Sequence, residues 1–267
     1  MPETGKKQFN KISSAYIAIG IILITLMTVI GTSAFMKVNE IRVEGISAYT
    51  IDDILDASGI SLGDNLLFIN SSSLSQQIRQ SLPFVSSVSV SRILPDKVLI
   101  EVTESDAIAM IMFAGETLVS DSSGRILARS SDDDFTQFYG SNNNLSGLIE
   151  VRGLEIDNVT TGSVLRPVFG SEMKLQYMQD VLSAFEREGM EGDVQYLDVS
   201  NIVNVHFGYL NKFKVNFGGA ANLRQSNLRH NLNRLPETVA WIETRHPNTS
   251  GTIDMTDANA NPTFNTN

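Results

Sequence analysis

Three histidines, an aspartate run, a serine triplet and a glycine pair are the residues of this chain whose types could carry chemistry. His206, His230 and His246 would ligate a metal or shuttle protons if two of them shared a helix face, as in the H-E-x-x-H arrangement. Their spacing provides no such pair, and His206 alternates with Val205 and Phe207 in a stretch that reads as a strand. Asp132, Asp133 and Asp134 could wrap calcium, but the glycine and the distal glutamate of an EF-hand loop are missing, so the run reads as a solvated loop. Gly218-Gly219 precedes a helical stretch, which is where a phosphate binds a helix N-terminus, yet no Gly-Lys-Ser/Thr follows and a turn is the simpler reading. Ser71, Ser72 and Ser73 lie in no G-x-S-x-G elbow and read as capping residues of the helix behind them. With Cys at 0, a thiol nucleophile, a disulfide framework and a cysteine-ligated metal are excluded together. The reading is therefore of a non-enzyme with no catalytic residue, no cofactor and no metal.

The elements that would position such residues are better defined than the residues themselves. The chain has 267 residues, 42% hydrophobic and 19% charged, enough apolar material for a folded body of one or two domains. A net charge of -10 has the wrong sign for neutralising phosphates, so nucleic acid is excluded as a partner.

The apolar residues concentrate near the start. Ile12 to Met36 is a run without a charge, 25 residues long, and a helix of that length reaches about 37 Å against a hydrocarbon core of about 30 Å. A single transmembrane helix over 12–36 is expected. The run is longer than the roughly 7–15 apolar residues of a cleaved signal peptide. Lys6, Lys7 and Lys11 precede it against Glu3, while the acidic excess follows it, so the positive-inside rule puts the tip 1–11 in the cytoplasm and the body outside.

After the run, Val38, Ile41 and Val43 mark a short strand closed by Gly45. Thr50 and Asp53 have the spacing of an N-cap and its third-position acid, with a stop at Gly59. Leu74, Ile78 and Leu82 predict a second helix over 72–82, ended by Pro83. Val85 to Val90 and Val98 to Val102 predict a hairpin turned at Leu94-Pro95-Asp96. Strand, helix, helix, strand, strand is one small domain with both helices on one face of a three-stranded sheet.

Beyond Ser105, strands are expected at 107–113 and 118–119, then a turn at Asp121-Ser-Ser-Gly124 before Ile126 and Leu127. Asn142, Asn143 and Asn144 mark a polar loop. A helix is expected over 172–187, stopped by Gly189, then strands over 194–199, 202–207 and 213–217. Leu223, Leu228, Leu232 and Leu235 line a last helix that Pro236 should kink or restart, and a final strand runs over 252–256.

In this order the pieces resemble the FtsQ/DivIB family of bacterial cell-division proteins. Val38 to Gly45, Gly63-Asp64-Asn65-Leu66-Leu67, Leu82-Pro83-Phe84-Val85, Arg92 to Pro95 and Val98 to Glu104 are similar to a POTRA domain of the FtsQ type. The Asp121-x-x-Gly124 turn, Phe217-Gly218, the leucine helix and Gly251-Thr-Ile-Asp-Met255 extend the resemblance to about Asp257. Two positions depart from the family pattern: Glu104-Ser105-Asp106-Ala107 stands where Glu-Arg-x-Pro is common, and Met255 where Arg often closes the last strand.

The resemblance implies an α+β protein: a single transmembrane helix, a small β-α-α-β-β POTRA domain over 37–105, a mixed, mainly antiparallel β-rich domain with two helices over 106–256, and a disordered tail over 257–267. It implies a non-catalytic scaffold of the divisome in the cell membrane at the septum. Such a scaffold binds bitopic partners of the FtsB/DivIC and FtsL kinds and septal peptidoglycan synthases, coupling septum assembly to wall synthesis. The docking site it implies is the C-terminal edge strand, Thr252, Ile253, Asp254, Met255 and Thr256, by addition of a partner strand. A tethered exported cell-wall enzyme and a POTRA-bearing component of secretion or outer-membrane insertion are the alternatives.

Overall fold

A computed structural model describes residues 11–133, 135–139, 145–219, 225–257 and 260–266. The chain divides into two compact units, Met1–Ile78 with Ser87–Thr103, and Arg79–Ser86 with Glu104–Asn267.

The first unit opens with helix α1, Lys11–Phe35, of 25 residues. Its described side chains, those of 16–27 and 31, are mostly apolar and exposed, including Tyr16, Ile17, Ile22 and Met27. The one hydroxyl bonded within this stretch turns inward, Thr25 Oγ1 donating to the Ile21 carbonyl at 2.8 Å. Among the described residues no helix is long and apolar enough to cross a membrane. The tip before Lys11 lies outside the described residues.

Strand β1 (Glu40–Glu44), helices α2 (Ile51–Ser58) and α3 (Ser71–Ser81), and strands β2 (Val85–Ile93) and β3 (Lys97–Glu104) follow in the expected order. The sheet order is β1-β3-β2, with β1 parallel to β3, which the α2–α3 crossover requires. Thr50 and Asp53 form the reciprocal capping box, and Gly59 ends α2 in the left-handed conformation with φ 67°. The cap of α3 is Asn70, whose Oδ1 accepts Ser73 N at 3.2 Å, so the serine triplet lies inside the helix rather than capping it. Along β3, Val98, Ile100 and Val102 alternate as buried residues and share the core with Ile54, Ile78 and Leu66.

In the second unit the chain runs through β4 (Ala109–Phe113), β5 (Glu116–Ser120), β6 (Ile126–Arg129), α4 (Phe135–Tyr139), β7 (Ile149–Arg152), β8 (Ile156–Asn158), β9 (Arg166–Pro167) and α5 (Glu172–Glu188). Then come β10 (Val194–Asp198), β11 (Val205–Tyr209), β12 (Phe213–Gly218), α6 (Gln225–Arg245), β13 (Gly251–Asp254) and β14 (Thr263–Thr266). Nine strands make one sheet in the order β14-β13-β12-β11-β10-β7-β4-β5-β6. Three neighbouring pairs are parallel, β4 with β7, β7 with β10, and β12 with β13; the others are antiparallel. Met178, Val181, Leu182 and Phe185 of α5 and Leu228, Leu232, Leu235 and Ile242 of α6 enter the same core as Val151, Leu197, Phe207 and Val215 of the sheet.

Several expectations are corrected here. The domain has a third, short helix, α4, which packs Phe135 into the interior from what reads as a polar loop. The strand expected over 202–207 starts at Val205, because Ile202 to Asn204 form a turn, with Asn201 Oδ1 accepting Val203 N at 3.1 Å. Helix α6 continues through Pro236. A proline inside a helix costs about 3 kcal/mol, but Leu232, Leu235, Val239 and Ile242 are all buried around it and each contributes about 1.5–3 kcal/mol, so burial wins. Asn142 to Asn144, Asp134 and Leu223 lie outside the described residues. The most consequential correction is at the end of the chain: residues 263–266 form β14 and cover the strand expected to be the edge.

The Asp121-x-x-Gly124 turn joins the sheet to α5. Asp121 Oδ1 accepts from Ser123 N at 2.9 Å, Ser123 Oγ at 2.6 Å and Arg125 N at 3.0 Å. Gln179 Nε2 of α5 donates to the Ser123 carbonyl at 2.6 Å, and Ser122 Oγ donates to Glu186 Oε2 at 2.6 Å. Asp121→Ala removes the acceptor from donors in a largely buried turn and is expected to lower stability by about 2–3 kcal/mol in urea unfolding. Asp121→Asn, which keeps an acceptor oxygen, should retain most of it.

Candidate partner-docking site

Among the described residues, those whose types could do chemistry do not converge. The nearest approach is Asp198, whose Oδ1 accepts from Ser200 Oγ at 2.5 Å and whose Oδ2 lies 3.7 Å from His206 Nε2. A hydrolytic triad needs the histidine between the hydroxyl and the acid; here the carboxylate stands between them and can only hold both. Arg152 lies over the Tyr196 ring at 4.3 Å beside it, completing a surface polar cluster. His230 is exposed on α6, and His246 packs against Phe264 with ring centroids 5.8 Å apart. Asp132 Oδ2 is engaged by Arg129 N at 3.1 Å and Thr161 Oγ1 at 2.8 Å. Among the described residues no group of three or more acid or histidine side chains is placed to hold a metal. Gly218 ends β12 with φ 76°, a turn conformation.

The C-terminal end of the large sheet is built differently. Strand β13 lies between two others: Phe213, Lys214, Val215 and Asn216 pair with Gly251 to Asp254 in parallel on one side, and Thr266 to Thr263 pair with them antiparallel on the other. Ile253 and Met255 point into the core at 0% and 2% exposure, while Thr252 and Asp254 are half-buried and Thr256 is exposed. Of the five residues expected to receive a partner, the first three thus already have a strand on each side. Pro at Ile253 would break the interior of the sheet rather than its rim.

Strand β14, Thr-Phe-Asn-Thr, is held by a single aromatic. Phe264 meets the Phe213 ring edge-on at 6.1 Å and lies across Gly251, where a Cβ would fall 2.6 Å from Phe264 Cε2 and 2.3 Å from the Asn265 carbonyl oxygen. Gly251 is therefore required by the close approach of β14. The segment before β14 is pinned to α6 by Arg234, which donates to the Ala260 carbonyl and to Asn261 Oδ1, both at 3.1 Å. Thr263, Asn265 and Thr266 are exposed, so β14 is the rim of the sheet and offers its unpaired backbone groups to solvent.

An ion pair braces this end. Lys212, just before β12, binds Glu243 of α6, and Glu243 Oε2 also accepts Asn248 N at 3.4 Å. Lys212 first, then the Asn248 amide, hold the Glu243 carboxyl below its usual range despite partial desolvation. Arg129 does the same for Glu116 and Lys174 for Glu155. Burial pushes the Asp198 carboxyl up, but Ser200, His206 and Arg152 outweigh it and leave it low. Asp180 is raised by burial and works in the opposite sense. In the second unit four depressed carboxyls against one raised set the sign: their contribution is fully present above the unfolded carboxylate pKa of about 4 and is lost as pH falls through the lower folded values. Urea midpoints should fall between pH 5 and pH 3 and change little between pH 5 and pH 7.

The first unit and the extended sheet define a class, a POTRA-bearing protein with a β-rich second domain. Residues 36–105 match the POTRA domain, FtsQ-type. The chain is similar to the cell division protein FtsQ of Anaeromyxobacter sp. (strain K), 26% identical over 204 residues, covering 62% of this chain and 69% of that one. It is similar to FtsQ of Corynebacterium glutamicum, 33% identical over 113 residues, 41% of this chain and 50% of the relative. Against the cell division protein DivIB of Clostridium tetani it is 21% identical over 187 residues, 70% of this chain and 65% of the relative. The FtsQ-type POTRA match and the relatives named FtsQ and DivIB together support the likeness to the FtsQ/DivIB family.

The rim strand is what sequence reasoning missed. Its signal is present only indirectly, in a glycine opening β13 and in one phenylalanine within a polar stretch.

Proposed function

We propose that this chain is a non-catalytic, membrane-anchored scaffold of the bacterial division machinery, which captures another bitopic division protein by strand addition at the C-terminal rim of its large sheet. The observation that carries the reading is β14: four residues, mostly exposed, ending a nine-stranded sheet with open backbone groups. Strand addition draws affinity from main-chain hydrogen bonds and specificity from side-chain pockets beside the edge. The groove lined by Arg234, Glu237, Thr238, Trp241, Asn261 and Pro262 lies beside β14 and supplies a cation, an acid and an aromatic for this.

The charge-free run Ile12 to Met36 and the lysines before it support α1 as the anchor in the cell membrane, with the lysine-rich tip in the cytoplasm and both folded units outside. The resemblance names the partners as FtsB/DivIC-like and FtsL-like proteins, with septal peptidoglycan synthases further along the chain of contacts. The test is affinity capture from membranes with the full chain and with a variant ending at Asp257. Loss of a co-purifying single-span division protein, by at least about tenfold, supports the reading; a difference of that size is about 1.4 kcal/mol. Undiminished capture by the shortened chain removes β14 as the docking strand.

A further inference from the structure

We propose that the POTRA domain rests on the lipid bilayer through a second, shallow contact: the loop Leu62 to Phe68 together with the turn at Ile93-Leu94. This rests on the reading of α1 as the membrane anchor and adds a seat to it. Outside α1, the large hydrophobic side chains left exposed in the first unit are Ile51, Leu62, Leu67, Phe68, Ile93 and Leu94. All but Ile51 belong to these two segments, and the backbone shows where the segments lie.

Helix α1 ends at Phe35, and the next residue, Met36, already accepts Leu66 N through its carbonyl at 2.8 Å. Val38 N donates to the Asp64 carbonyl and Gly63 N to the Val38 carbonyl, each at 2.8 Å, and Lys37 bridges to Asn65. The loop is thus stitched to the three residues that leave the helix. The turn is stitched to the same place: Asn39 N donates to the Asp96 carbonyl at 2.8 Å, and Arg92 Nη1 donates to the Leu67 carbonyl at 3.5 Å. Because β1 runs parallel to β3 from Glu40 opposite Lys97, the far end of this sheet is at Glu44 and Glu101.

Five exposed apolar side chains therefore ring the point where the chain leaves α1, with Phe68 83%, Leu62 67% and Leu94 64% exposed. A cluster of this kind on a monomer surface marks a contact, and aromatic and aliphatic side chains at the headgroup level are what an interfacial contact uses. The local charges fit lipid phosphates. The carboxylates of Asp64 and Asp96 are turned to protein donors, Ser61 N at 2.8 Å and Asn39 Nδ2 at 3.1 Å, while Lys37 and Arg92 stand alongside. A few side chains bind bilayers weakly on their own, but tethering by α1 raises their effective concentration at the surface, so weak contact suffices.

Since the chain has no cysteine, single-cysteine probes test this in the full-length protein. Phe68→Cys, Leu94→Cys, Glu101→Cys and Ile22→Cys would carry an environment-sensitive dye, in nanodiscs of phosphatidylethanolamine and phosphatidylglycerol doped with nitroxide lipids. Ile22 reads the anchor and should be quenched by mid-chain nitroxide. Residues 68 and 94 should show blue-shifted emission and quenching by headgroup nitroxide, and residue 101 neither. Adding Leu62→Ser and Leu67→Ser should reverse the shift at residue 68. An unquenched residue 22 overturns the anchor and this proposal with it. A quenched residue 22 with residues 68 and 94 as wet as 101 overturns the seat alone. Shielding at 68 and 94 that appears only when division proteins are added assigns the patch to a protein partner and overturns the lipid contact.

Discussion

Gly45→Ala is expected to unfold the POTRA domain while leaving the second unit intact. Gly45 closes β1 with φ +84°, and a Cβ there would fall 2.0 Å from the Val102 carbonyl oxygen and 3.2 Å from its carbon. The left-handed conformation alone costs an alanine about 1–2 kcal/mol. The overlap is with the β3 backbone one residue past the last rung, Glu44 opposite Glu101, so relief requires this end of β1 to part from β3, and the ladder toward Glu40 opens from there. A total near 4 kcal/mol is expected, at the upper end of single-substitution effects. A domain of this size has only about 4–10 kcal/mol in hand. Gly59→Ala is the control, because Gly59 has φ +67° with nothing within 4 Å of the added carbon, so it carries the conformational cost alone. The single tryptophan, Trp241, lies in α6 of the second unit. Urea unfolding followed by Trp241 fluorescence should be unmoved in Gly45→Ala, whereas the far-ultraviolet circular dichroism should lose an early transition. A Gly45→Ala midpoint equal to that of Gly59→Ala would contradict the backbone clash.

What could be read from the sequence follows the range of the interactions involved. The Thr50–Asp53 capping box, the Gly59 and Gly189 stops and the faces of α3 and α5 are set within a few residues, and each stands where its pattern puts it. The hairpin of β2 and β3 is equally local. The misses are long-range. Strand β7, Ile149–Arg152, reads as nothing in particular, yet it joins β4 to β10 in the middle of the sheet through parallel pairing with both. Its four residues, Ile-Glu-Val-Arg, alternate as a strand should, but the run is too short to announce that position. Helix α6 passes Pro236 without restarting because burial of Leu232 and Leu235 before it and of Val239 and Ile242 after it outweighs one missing hydrogen bond. The docking region was legible in its first strand and illegible in its second. Ile253 and Met255 carry a core pattern, whereas Thr-Phe-Asn-Thr is a polar stretch whose only reason to be a strand is the vacancy left by Gly251 across the ladder.

That vacancy makes Gly251→Val the sharpest test of the rim. Valine favours strand conformation, so β13 itself has no reason to refuse it. Its Cβ meets the Asn265 carbonyl oxygen at 2.3 Å and the Phe264 ring at 2.6 and 2.8 Å, all of them on β14. Strand β14 is expected to leave. Its loss should cost little stability, because each ladder bond contributes only about 1 kcal/mol net while each of the four residues released regains about 1–2 kcal/mol of backbone entropy. With Phe264 exposed as well, the net change should stay near 1–2 kcal/mol, so Trp241-monitored unfolding should still show one cooperative transition. Capture of the partner is the quantity that should move, falling by at least about tenfold, as in the chain shortened at Asp257. Agreement between a substitution and a truncation that share only the removal of β14 assigns docking to that strand. Capture that instead rises in both would mean that β14 covers the docking edge, and that Thr252 to Thr256 receive the partner once the cover is gone.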